Sequence, residues 1–130
     1  MTLSLDLPYP PTANTMYRAV SRGRLAGRTL LSYKARQFYQ DCGRVIAIQR
    51  MNGNQSQFPI RGRLEVTYHV SPPDRRRRDL GNIEKAVSDA LHKCGVIEDD
   101  SQIDELHILR REPVKGGRLS VRIRELANES

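Results

Sequence analysis

The sequence predicts a single α/β (α+β) domain in which a mixed β-sheet is packed by two main helices. Three patterns lead there. Leu3, Leu5 and Leu7, then Leu64, Val66, Tyr68 and Val70, and last Leu119, Val121 and Ile123 alternate with other residues, the period of a strand with one buried face. Ala35, Phe38, Cys42, Val45 and Ile46, and later Ile83, Ala86, Val87, Ala90, Leu91 and Cys94, repeat at helical spacing instead. The second helical stretch falls between two strand-like segments, an order that a right-handed crossover between parallel strands produces. With 130 residues the chain suffices for one domain, residues 1–130, with a modest core.

In chain order, a strand over residues 3–7 is ended by the prolines of PYPPTANTMYR, where Asn14 is expected in an ordered turn. Residues 18–31 carry Arg18, Arg22, Arg24 and Arg28 with two glycines and read as a basic loop or ribbon. A helix follows over residues 32–49 with Ser32 as its N-cap, then the polar loop MNGNQSQFP. A strand at 62–70 is stopped by SPPD. The second helix runs from about Gly81 to Lys93, with Gly95 as its C-terminal stop. Strand-like residues occupy 103–109, KGG at 115–117 makes a turn, and the last two strands are expected to form an antiparallel hairpin.

Composition narrows the function. Lys and Arg number 22 against 15 Asp and Glu, a formal charge of +7 that favours polyanions, nucleic acid before an anionic membrane. No apolar run reaches the roughly 20 residues of a spanning helix. The opening MTLSLDLPYPP places Asp6 and prolines where a signal peptide needs a basic end and an apolar block. Cys42 and Cys94 make neither a disulfide framework nor a four-ligand zinc set, so buried thiols in a reducing cytoplasm are expected. A 38% apolar fraction with no Trp suggests that association contributes to stability.

The chemistry concentrates in RRRRDLGN, residues 75–82. Asp79 stands where a strand exit meets a helix start. Taken alone it is a cap whose carboxylate accepts backbone N–H bonds, worth about 1 kcal/mol; it is also where open α/β sheets place metal ligands. Arg75, Arg76, Arg77 and Arg78 precede it, and Lys85 and Glu84 face away from the apolar stripe of the helix. Downstream, Glu98, Asp99, Asp100 and Asp104 gather in an otherwise basic chain. Mg²⁺ takes oxygen ligands and keeps several waters, so one or two carboxylates and a substrate phosphate suffice to hold it. A helix of about 13 residues is about 20 Å long, and residues 95–100 span at most about 20 Å. Asp100 therefore returns to Asp79 only if GVIED runs straight back along the helix; otherwise the second carboxylate comes from another subunit. His92 and His107 have no metal-ligand partners at useful spacing and are expected to pack on the surface or in a strand. Tyr9 and Tyr17 are candidate wedges or stackers on DNA.

The segment PPDRRRRDLGNIEKAVSDALHKCGVIEDDSQI resembles the signature of the RusA family of Holliday-junction resolvases: RDLDN, a lysine, DAL, a glycine and DDxQ at fixed spacing. LPYPPTAN with its following YR, and the closing KGGRL, are similar to that family as well, so the resemblance covers nearly the whole chain. It implies a homodimeric endonuclease that uses Mg²⁺, with Mn²⁺ as a substitute, binds branched DNA at four-way junctions and nicks two strands symmetrically, with no organic cofactor and no membrane. It further implies that Asp79 and Asp100 are metal-binding aspartates, Lys85 the essential lysine and Asp99 a lesser contributor. Asn82 matches the family's asparagine, and Asn14 lies in the LPYPPTAN match. Asn14, Asn82 and the arginines 75–78 are the expected DNA contacts. Gly81 departs from the pattern, which has a catalytic aspartate there. Three outcomes stay open: a reduced site of Asp79, Asp100 and waters; replacement by Asp99 or Glu84; or a junction-binding protein that no longer cleaves.

Overall fold

The computed structural model describes residues 2–11, 17–19, 29–52 and 58–126. The elements are β1 (Thr2–Leu7), β2 (Tyr17–Ala19), β3 (Thr29–Leu31), α1 (Tyr33–Met51), β4 (Leu64–Ser71), α2 (Leu80–Lys93), a 3-10 turn (Asp100–Gln102), β5 (Ile103–Arg110) and β6 (Arg118–Glu125). Four strands form one mixed sheet in the order β1-β6-β4-β5, and β2 and β3 pair antiparallel as a separate ribbon. Ser32 caps α1, its side chain accepting from the Ala35 N–H at 3.1 Å. No helix among the described residues is long and apolar enough to cross a membrane.

The period-two residues do what their spacing requires. Leu3, Leu5 and Leu7 of β1, Leu119, Val121 and Ile123 of β6, and Leu64, Val66, Tyr68 and Val70 of β4 all turn to one face, where they meet Ala35, Phe38, Cys42 and Ile46 of α1 and Ile83, Val87 and Leu91 of α2 in one core. Each large side chain buried there contributes roughly 1.5–3 kcal/mol. Helix α1 rides on β1 and α2 on β5, so both helices cover the same face and the opposite face stays open.

The parallel pairing of β4 with β5 through α2 is as the sequence predicts. The expected hairpin between the last two strands does not form. β6 instead runs antiparallel between β1 and β4. The reason lies in burial: β6 carries three fully covered apolar residues and needs a neighbour on each side. IDELHILR of β5 is mostly exposed and charged, which suits an edge.

Candidate active site

Asp79 is the N-cap of α2, in extended backbone geometry, with Oδ1 accepting from the Gly81 N–H at 2.8 Å. It remains exposed, and the cap uses one of its two carboxylate oxygens. Asn82 and Lys85 are also exposed on the first turns of the helix. The N-terminus of α2 thus presents a carboxylate, an amide and an ammonium together, beside the partial positive charge of the helix end.

The four arginines divide into two roles. Arg78 is largely covered, with 17% of its side chain exposed; it pairs with Asp74 at 2.7 Å and donates to the carbonyls of Asp74 and Arg76. It braces the loop more than it reaches outward. Its bond holds the Asp74 carboxyl below the usual range. Arg75 pairs with Glu112 at 3.2 Å and Arg76 with Asp74 at 3.7 Å, both with their side chains in solvent. Arg77 is exposed. All four line a cavity of about 350 Å³ together with Tyr9 and Arg110.

Tyr9 points its hydroxyl into this region without a hydrogen-bond partner among the described residues, and burial raises its phenol. Its ring packs against Gly117, where a Cβ would stand 2.7 Å from Cγ and where φ is +76°. The Pro-rich opening and the arginine run therefore meet around one cavity, and the KGG turn backs its Tyr9 wall. Tyr9 is a wall of that cavity, half-buried, in contrast to the free stacker its Pro-rich setting suggests. Asn14 and arginines 22, 24 and 28 lie outside the described residues, as do the side chains of Tyr17 and Arg18.

Asp99 and Asp100 are both exposed at the 3-10 turn. The amide of buried Gln102 builds this turn: its Oε1 accepts from the Glu98 and Asp99 N–H groups at 2.7 and 2.9 Å, and its Nε2 donates to the carbonyls of Ile60 and Gly62. The Ser101 hydroxyl donates to Asp99 at 2.6 Å and, with His92 of the last turn of α2 adding a smaller pull, holds that carboxyl low. Fixed at both ends, the turn presents its two carboxylates in a set place.

That place follows the C-terminal end of α2, whose N-terminus Asp79 caps. After α2 the N–H groups of Val96 and Ile97 both donate to the Leu91 carbonyl, and Ile97 bridges to Ile60. The chain folds back at the helix end, and the 3-10 turn that follows touches α2. Ile103 pairs with Leu64 at the start of β4, whereas Asp79 follows the end of β4. Eight strand residues separate those ends by about 26 Å. The Asp100 charge acts on the Tyr68 hydroxyl, which bonds Ser88 in the middle of α2, so the 3-10 turn sits alongside that helix.

Glu84, a possible substitute for the missing carboxylate, is half-buried and accepts from Ser88 at 2.7 Å; Ser88 in turn bonds the buried Tyr68 hydroxyl at 2.7 Å. Among the described residues, a cluster of three potential metal-ligating side chains lies elsewhere. Glu65, Glu105 and His107 bring ligand atoms within 4.8 Å of one another on the open sheet face. His107 therefore does have carboxylate neighbours, contrary to the expectation from spacing, because the parallel register sets Glu65 beside Glu105 and Thr67 beside His107. Arg124 grips Glu65 through two nitrogens and holds it low, while Glu105, facing Glu65, is pushed up. Only the register between the two strands reveals this cluster.

The family model described as endodeoxyribonuclease RusA matches residues 8–124. The chain is 37% identical over 128 residues to a crossover junction endodeoxyribonuclease RusA of Escherichia coli, covering 98% of each. It is 36% identical, with the same coverage, to a crossover junction endodeoxyribonuclease rusA of Enterobacteria phage 82.

Proposed function

The chain belongs to the RusA family of endodeoxyribonucleases, and on that premise we propose that it resolves four-way DNA junctions by paired, symmetrical, metal-dependent nicks in recombination and repair. The reading is supported above all by the exposed Asp79, Asn82 and Lys85 at the start of α2, flanked by an arginine-lined cavity. Arg75, Arg76 and Arg77 contact phosphates without reading bases, which suits recognition of a branched shape. Arg78 supports them by holding the loop. Lys85 sets a fixed positive charge where negative charge develops on the phosphate.

The donor set fits a hard divalent cation, Mg²⁺ with Mn²⁺ as a substitute, since Asp79, Asp99 and Asp100 offer only oxygens and keep exposed carboxylates. Bound there, the cation would acidify an attacking water and offset charge on the scissile phosphate. Symmetrical nicking calls for two sites related by a two-fold axis, hence a homodimer. Asp79 caps the N-terminus of α2 and Asp100 follows its C-terminus, a placement that favours a site pairing Asp79 with Asp100 of the partner subunit. Two unpaired thiols, Cys42 among them fully buried, are compatible with work in a reducing cytoplasm.

Incubation of the protein with a synthetic four-way junction and Mg²⁺ or Mn²⁺ tests the proposal. Paired nicks at symmetrical positions are expected. Tight junction binding with no product at high protein would replace it with one of the three outcomes Gly81 leaves open, a junction binder that no longer cleaves.

A further inference from the structure

The first two turns of α1 and the Pro-rich segment after β1 line a cleft of about 510 Å³, next to the arginine-lined cavity and sharing Tyr9 and Arg78 with it. Tyr33 and Lys34 stand on its helix side, directly after the Ser32 cap. Helical spacing turns Phe38 into the core, 4% accessible, and leaves Tyr33 72% accessible at the rim. A lone exposed aromatic is ordinary. This one borders a cleft whose other wall includes Pro8, Pro10 and Pro11, apolar rings that bring no N–H donors.

A cleft of this make suits a flat apolar face. Nucleobases have such faces, and aromatic side chains stack on them with little regard to sequence. The charges point the same way. Lys34 is exposed beside Tyr33, and across Tyr9 and Arg78 lies the cavity lined by Arg75 to Arg77, Arg110 and Arg111. The carboxylate on the helix wall, Asp41, is already offset by Arg44 at 2.7 Å and accepts from Gln37 at 3.0 Å. A phosphate among the arginines and a base in the cleft can belong to one strand.

We propose that the cleft takes an unpaired DNA base, stacked on Tyr33, while neighbouring phosphates of the same strand lie along the arginine run. In a duplex each base is paired and covered by its neighbours, so only a base that has left the stack can enter. The branch point of a four-way junction is where pairs open at least cost. The inference deepens the proposed function and rests on it for its substrate. Phosphate contacts are alike on linear and branched DNA; a base cleft adds the means to prefer the branched form.

The test is equilibrium binding of the full chain in EDTA, so that no strand is cut. Fluorescence anisotropy reads affinity for a synthetic four-way junction, a linear duplex and a single strand of the same sequence. Tyr33→Ala should weaken binding to the junction and the single strand at least about fivefold. Its duplex affinity should not change. Tyr33→Phe, which keeps the ring, should match wild type on all three. An Ala variant that loses nothing, or loses equally on duplex, would overturn the proposal, as would a Phe variant no better than Ala. An Ala variant with every DNA affinity intact but self-association lost would give the cleft to a second copy instead.

A second measurement needs no variant. A single strand carrying 5-iododeoxyuridine, irradiated with the wild-type chain, should cross-link at Tyr33, and cross-links mapped only outside the cleft would overturn the assignment. Junction cleavage by wild type is read separately. A chain that binds through Tyr33 yet cuts nothing upholds the cleft and refutes the nuclease reading; paired nicks from a chain indifferent to Tyr33→Ala do the reverse.

Discussion

The backbone N–H of Gly81 donates to Oδ1 of Asp79 at 2.8 Å, and a Cβ on Gly81 would stand 3.2 Å from that same oxygen. The glycine therefore gives the cap room, although its helical backbone does not demand glycine. In Gly81→Asp the Asp79 carboxylate has to yield by a few tenths of an ångström. Loss of the helical glycine penalty, up to about 1 kcal/mol, and a favourable anion in the first turn offset that crowding. Stability is expected to stay within about 1 kcal/mol in urea unfolding, while the Mg²⁺-dependent nicking rate rises about tenfold or more. An unchanged rate would mean another carboxylate already does the work.

Capping and catalysis at Asp79 can be separated because asparagine caps as well as aspartate. Asp79→Asn should abolish cleavage, hold its thermal midpoint, and bind junctions as tightly or more tightly, since a negative charge leaves the phosphate path. Asp79→Ala should lose cleavage and also about 1 kcal/mol of stability. Persisting cleavage in the Asn variant would remove Asp79 from the ligand set.

Arg77 and Arg78 are neighbours with different duties. Arg77→Ala should lower the slope of log affinity against log salt by about 1 with unfolding unaffected. Arg78→Ala should loosen the loop by stranding Asp74 and two carbonyls, lowering stability as well as affinity. Equal effects on stability would show that the burial of Arg78 has no structural consequence.

Gly117 has two reasons to be glycine: φ of +76° and the Tyr9 side chain, whose Cγ a Cβ would approach to 2.7 Å. Gly117→Ala should cost about 2 kcal/mol or more, from backbone strain and overpacking together, measured as a shift in denaturant midpoint. Tyr9→Phe, which removes an unpartnered buried hydroxyl, should be neutral or slightly stabilising.

Glu105 is pushed up because it faces Glu65 across the parallel register. A raised folded-state pKa means that its contribution is fully present below the unfolded carboxylate range and is lost as pH rises through the folded value. At pH 7 the ionised Glu105 is therefore a liability. Glu105→Gln should melt higher than wild type at pH 7, with the advantage fading as pH falls through about 4.5. A constant difference from pH 7 to pH 3.5 would exclude this cause.

Much of the molecule was legible in the chain. Periods of 2 and 3.6 located β1, β4, β6 and both helices, because burial of one face is decided locally by side-chain alternation. The placement of β6 escaped, since a turn such as KGG says where a strand reverses but not which neighbour its buried residues need.

The sequence by itself determined the family, the basic grip and the identity of Asp79, Lys85, Asp99 and Asp100 as candidates, because these are matters of residue type at fixed spacing. Tertiary structure decided which of them meet. Val96 and Ile97 fold back on Leu91, and the 3-10 turn leads into β5 at the start of β4, whereas Asp79 follows the end of β4. The same registry created the Glu65, Glu105 and His107 cluster, which no spacing along the chain could announce. Distances across a sheet depend on which strands pair and in what register, and that is settled only when the whole core is packed.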